Sequence, residues 1–320
     1  MKSERDDAPP MRGYKRKTIE KIVRRKMNEW LRTIGHRTAP DKDGLVATNG
    51  DADLADAVRA DYFLTGGALA SMLAGEEPND YDVYLRTPAV AAKLVEHYIE
   101  TLPPSNNGRV SDISVKFDKD NGRVYVFVKS AGIAGDGSDL SQYRYFEYGP
   151  SNGQEFLEEV IKAEDKGRYG VAYMTTNAVT LTDGVQIIIR FVGDPNEVHK
   201  NFDYVHCTAW FTEDGGLVVP EPALEAIRTR ELRYQGSLYP VCAMFRMRKF
   251  IKRGWSITAG EMLKIAWDIS KLDLSDIEVL RDQLVGVDSA YFRELLEIME
   301  REGRPVDRSY LVELVSRVFD

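Results

Sequence analysis

The chain has 320 residues, a mass of 36.2 kDa and a net charge of −8, with 43% hydrophobic and 29% charged residues. That length holds one large domain or two modest ones around a sizeable core, and no apolar run approaches the roughly 20 residues that cross a bilayer. Two cysteines without CxxC spacing, Cys207 and Cys242, and only four histidines argue against a disulfide scaffold or a structural zinc site. The charged N-terminus has no apolar stretch of the secretory kind, and a reducing cytoplasm is the expected setting.

Charge is unevenly spread. Residues 1–37 carry twelve Lys and Arg against five Asp and Glu, a surplus of seven, which leaves about −15 on the rest. A basic arm on an acidic body suits a polyanion or an assembly partner, and equally suits a solvated helix face. Both readings stand at this point.

In chain order, residues 1–14 read as a tail. Ile19, Ile22, Val23, Met27, Trp30 and Leu31 recur at helical spacing and predict a helix over 18–34, with Thr18 as its cap. Residues 36–51 read as a loop and 52–60 as a short helix. A strand over 61–65 runs into Gly66-Gly67, a short helix over 68–73 follows, and a second strand covers 81–85. Pro88 opens a helix over 88–102. Stretches at 110–117, 123–130 and 143–148 read as strands, 153–165 as a helix, and 177–182 with 185–192 as a hairpin about Asp183-Gly184. From 222 onward the texture turns helical, at 222–233, 237–253, 258–269, 275–284, 289–302 and 307–318. The fold class is α+β, divided as a basic arm and helix (1–51), an α+β body (52–216) and an all-helical domain (217–320).

The densest chemistry lies in YFLTGGALASMLAGEEPNDYDVYLRT, residues 62–87. Asp80 and Asp82, two apart on a strand, point to one face and suit one hard divalent cation. Gly66 and Gly67, between strand and helix, let backbone and a helix N-terminus approach phosphate. One half suits the grip on a triphosphate, the other the metal bound to it.

In the order strand, Gly-Gly, short helix, Gly75, turn, Asp-x-Asp, strand, the stretch resembles the first motif of the DNA polymerase beta-like nucleotidyltransferases, of the tRNA CCA-adding and poly(A) polymerase type. The resemblance covers 62–86 well and 186–257 loosely, and places no counterpart over 103–175. It implies a mixed sheet of that type, a Mg²⁺ (or Mn²⁺) ion pair on Asp80 and Asp82, and a triphosphate at Gly66 and Gly67. Where the family's helix often carries Arg-Asp, this chain has Ala70 and Ser71, so Ser71 is the side chain left at that substrate position. Through FDYVHC, the resemblance offers Asp203 as third catalytic acid and metal ligand. It sets Arg190 toward the triphosphate, and Arg246, Arg248 and Lys249 on a basic helix facing nucleotide or RNA. Over its whole length the chain looks most like nucleotidyltransferase-like proteins of tailed bacteriophages, which places it in host cytoplasm or virion.

The resemblance thus implies transfer of a nucleotidyl group from a nucleoside triphosphate to a hydroxyl, an RNA end among the candidate acceptors. The alternative is a protein that keeps the fold without catalysis, a virion, assembly or nucleic-acid-binding component docked through its basic arm. Neighbouring His206 and Cys207 read as structural. Tyr234, Tyr239, Phe245, Phe250 and Trp255, interleaved with basic residues, read as core first and base-stacking second.

Overall fold

The computed structural model describes residues 13–35, 51–100, 167–174 and 178–276, short strands at 38–40, 46–48, 113–118, 123–128 and 144–145, and scattered helical positions from 279 to 317. Residues 1–12 of the tail expected over 1–14, the helix over 153–165 and most of the helices expected beyond 276 lie outside the described residues.

Helix α1 spans Arg16–Gly35, starting two residues before the expected Thr18 cap. Where a loop was expected, β1 (Thr38–Pro40) and β2 (Val46–Thr48) pair antiparallel. Asp51 caps α2 (Ala52–Asp61), accepting from the Leu54 amide at 2.8 Å. Then come β3 (Tyr62–Thr65), α3 (Gly67–Ala74), β4 (Tyr81–Leu85) and α4 (Pro88–Ile99), with Pro88 in the first turn. The strands β5 (Ile113–Asp118), β6 (Arg123–Val128) and β7 (Arg144–Tyr145) form a separate three-stranded sheet.

The main sheet is completed by β8 (Val171–Met174), β9 (Ala178–Leu181), β10 (Val185–Ile188), β11 (Trp210–Thr212) and β12 (Gly216–Val218). Its seven strands run in the order β12-β11-β3-β4-β10-β9-β8, and only the β4–β10 pair is parallel. Asp183 and Gly184 turn the β9–β10 hairpin with φ of 63° and 70°, the left-handed pair that a two-residue turn requires. The remaining helices are α5 (Pro195–His199), α6 (Glu221–Thr229), α7 (Pro240–Lys252) and α8 (Ala259–Ile269).

Strand alternation splits the sheet into two faces. Tyr62, Leu64, Val83, Leu85, Val185, Ile187 and Phe211 enter one large core with residues of α1, α2 and α4. Phe63 and Tyr84 sit on the opposite face in a smaller cluster with Val198, flanked by Ile188 and Trp210. Helix α1 buries Ile19, Val23, Met27, Trp30, Leu31 and Ile34 in the large core, so it packs with the sheet rather than standing apart from it.

The C-terminal region is not wholly helical. β13 (Glu231–Leu232) pairs in parallel with β14 (Ser256–Ile257), and Tyr204 bridges to Tyr234. These pairings tie the ends of α6 and α7 together by backbone hydrogen bonds that side-chain periodicity does not announce.

Candidate active site at the glycine turn

The site forms where β3 ends. Gly66 takes φ +91° and ψ −151°, a conformation open to glycine, and α3 starts at the next residue. A Cβ on Gly66 would lie 3.1 Å from Asp82 Oδ2. The Gly66 amide donates to the Cys207 carbonyl at 3.2 Å, so Gly66 contributes room beside the acid rather than a phosphate donor. A Cβ on Gly67 would meet nothing within 4 Å, which leaves the start of α3 open to a ligand.

Asp82 lies on β4, its Cα paired with Thr65 of β3 and with Gln186 of β10. Thr65 Oγ1 donates to the Ala209 carbonyl at 2.7 Å and lies 2.8 Å from His199 Nε2. Gln186 Nε2 donates to Thr180 Oγ1 at 3.2 Å. Both flanking side chains are neutral. Burial, and then the nearby Asp80, push the Asp82 carboxyl up to about 7, against the opposing pull of Arg246 and Lys249. Among the described residues no hydrogen bond reaches that carboxylate. Asp80 stands exposed just before β4.

Helix α7 roofs this face. Arg246 and Lys249 are three apart on the helix and both act on Asp82. Arg248 lies round the helix from them. Arg246 Nη1 donates to Asp203 Oδ2, and Ser237 Oγ donates to Asp203 Oδ1 at 2.6 Å. Asp203 is 5% exposed. Among the described residues no group of three or more His, Cys, Asp or Glu is gathered to hold a metal. Asp203, expected as a third metal ligand, is instead the counter-ion of Arg246 in this arrangement. The expectation came from the resemblance at FDYVHC, and the arginine that claims Asp203 lies 43 residues further along.

Ser71 is also engaged. Its Oγ accepts from Arg253 Nη2 at 2.8 Å, and Arg253 Nε donates to Glu76 Oε2 at 3.1 Å. Arg230 Nη2 donates to Glu76 Oε1 at 3.0 Å. Arg190 is buried four residues beyond Gln186, its guanidinium 4.1 Å over the Tyr239 ring. It lies in the bend just past the end of β10.

Sequence reasoning missed Tyr84, Gln186, Glu76 and Arg253. Tyr84 was within reach of it, two residues from Asp82 on the same strand face. Arg253 falls seven after Arg246, two helical turns along the same stripe. Cys207 has its thiol pushed up to about 12 by burial and by Asp82, so it stays protonated and is no nucleophile. His206 is fully buried against Phe250 and Trp255, at 4.5 and 4.3 Å between ring centroids, in keeping with a structural role.

Part of the basic arm is paired within the fold. Arg24 pairs with Glu213 at 2.8 Å and Arg25 with Glu29 at 3.1 Å. Lys26 donates to the Asp183 carbonyl, and Arg168 reaches Glu29 at 2.9 Å. Helix α1 therefore clamps the β11–β12 edge to the β9–β10 hairpin.

The Gabija anti-defense 2 family matches residues 22–230. The chain belongs to that family. Its match runs through the whole main sheet and stops at the end of α6. The chain is 19% identical over 261 residues to Gabija anti-defense 2 of Bacillus phage SPbetaL7, covering 80% of this chain and 49% of that protein. Among solved structures it is similar to the Thermotoga maritima CCA-adding enzyme complexed with tRNA, at 12% identity and a TM-score of 0.42, covering 90% of this chain and 54% of that one. It is also similar to the Bacillus stearothermophilus CCA-adding enzyme in complex with CTP, at 14% identity and a TM-score of 0.33, covering 72% and 46%. The chain spans about half the length of these relatives.

Proposed function

We propose that this protein is a phage counter-defence protein of the polymerase beta-type nucleotidyltransferase fold, acting against Gabija as its relative's name states. On this reading it transfers a nucleotidyl group from a nucleoside triphosphate to a hydroxyl acceptor. The observation that carries the reading is the contact of turn and acid. Gly66, at a φ that favours glycine, abuts Asp82 at the residue just before α3 opens.

The residues fit a divalent cation. Asp82 is near Asp80 with no hydrogen bond on its carboxylate among the described residues, and burial with the neighbouring acid disfavours its charged form. Two carboxylates, with water and phosphate, satisfy Mg²⁺. When bound, that ion would neutralise phosphate charge and steady the leaving pyrophosphate. The chain's own groups do the rest. Gly67 opens the helix N-terminus to phosphate. Lys249 and Arg246 hold positive charge over the acid strand, and Tyr84 walls the space from the apolar cluster behind it. In the transfer, the acceptor oxygen bonds to the α-phosphorus, the bond to the bridging oxygen breaks, and pyrophosphate departs. An RNA end is a candidate acceptor.

A second reading, triphosphate binding without transfer, is favoured by one observation. Asp203 is taken up by Arg246 instead of joining the acids. α-Labelled nucleoside triphosphates, Mg²⁺, mixed RNA and host lysate separate the two readings, with the Asp80→Asn, Asp82→Asn double variant alongside. Label transfer lost in the double variant is the expected result. Binding without transfer gives the second reading, and absence of both sinks the site. Plaque counts on Gabija-bearing cells expressing either version test the counter-defence role.

A further inference from the structure

The surroundings of Asp82 decide how many cations the site can take. Two ions about 4 Å apart need carboxylates on both sides of the shared space. Along the sheet, the neighbours of Asp82 are Thr65 and Gln186, both neutral and both turned to hydrogen bonds of their own. Across the space stands α7. Its Arg246 is fixed by Asp203, which is fixed in turn by Ser237. The Gln235 amide also donates to the Asp203 carbonyl at 2.9 Å, so the loop before α7 is built around this residue. To ligate a metal, Asp203 would have to give up its contacts with Arg246 and Ser237.

We propose that the site takes one divalent cation, and that the guanidinium of Arg246, positioned by Asp203, stands where a second cation would otherwise sit. The inference rests on the nucleotidyl reading and sharpens it. Asp80 and Asp82 hold the single ion with the triphosphate. Arg246 supplies the other positive charge as a fixed, planar donor suited to phosphate oxygens. Asp203 is then a positioning residue, and Gln186 marks the place where an acid is missing.

The test counts ions. Full-length protein is dialysed to equilibrium against Mn²⁺ with an α,β-methylene nucleoside triphosphate, which cannot release pyrophosphate, and both are counted in the protein chamber. The expected result is one Mn²⁺ per chain. The Asp82→Asn variant should weaken that ion tenfold or more. Asp203→Asn should leave the count at one while weakening the nucleotide about tenfold, because its anchor for Arg246 is gone. Gln186→Glu, which adds an acid beside Asp82, should bring the count to two. Two ions per chain in the wild type, or an ion lost in Asp203→Asn, overturns the inference and leaves the nucleotidyl reading standing. A Gln186→Glu variant that still holds one ion also counts against it. Neither ion nor nucleotide bound by the wild type overturns the underlying reading instead.

Discussion

Along β4, Val83 and Leu85 enter the large core, while Asp82 and Tyr84 on the same five-residue strand face Arg246 and the glycine turn. The first face is closed by helices that precede or follow it closely in the chain, α1, α2 and α4, and is apolar throughout. The second packs Phe63 and Tyr84 against Val198 and Phe202, and receives the charge of Arg246 from α7, more than 150 residues after β4. The difference separates stability from chemistry. Burial of aliphatic side chains drives folding on one side, and the other side holds groups that burial penalises.

Four substitutions break or sharpen that contrast, the largest effect first. Leu64→Ala, on the core face, should lower stability by about 3 kcal/mol in urea unfolding, through lost transfer energy and a cavity. A loss under about 1 kcal/mol would mean that this face is not the packed one.

His206 has its pKa held down to about 3 by burial, so it is neutral in the native state and takes up a proton on unfolding. Its contribution is full above about pH 6.5 and is lost as the pH falls toward 3. His206→Phe should therefore flatten the acid limb of the stability profile by on the order of 2 kcal/mol at pH 5. Its ring nitrogens are buried without hydrogen-bond partners, so replacing them should cost little at pH 8.

Asp82→Asn should do the reverse of a core substitution. The native carboxyl, raised to about 7, costs stability as the pH climbs from about 4 through 7. At pH 8 without divalent ions the asparagine variant should be more stable by roughly 2 kcal/mol, about half the full linkage because Asp82 is partly exposed to screening solvent, an advantage that added Mg²⁺ erases by binding only the wild type. A destabilised variant would show that Asp82 is there for structure. Gly66→Ala should cost about 1 kcal/mol from its positive φ. Its larger effect should be on nucleotide affinity, since the added methyl lies against Asp82.

Much of this was legible beforehand. The helical stripe from Ile19 to Leu31 appears as α1 within a few residues, and Asp183-Gly184 turns the hairpin it announced. The order strand, Gly-Gly, helix, Asp-x-Asp, strand appears as β3, α3 and β4. The same reasoning set Asp203 among the metal ligands and left Ser71 facing substrate, whereas Arg246 and Arg253 bind them. It left the basic arm open as a partner surface or a solvated helix face, and several of its cations are paired with Glu213, Glu29 and the Asp183 carbonyl.

Periodicity, turn chemistry and the two-residue step between acids act over a few positions, so the sequence alone determines the elements, their buried faces and the pairing of a glycine turn with Asp82. Which acid remains open to a cation is another matter. Asp80, Asp82 and Asp203 are the same carboxylate in sequence. Only the path of α7 across the sheet assigns the guanidinium of Arg246 to Asp203, because charge pairing acts through space over a few ångströms and takes no account of separation along the chain.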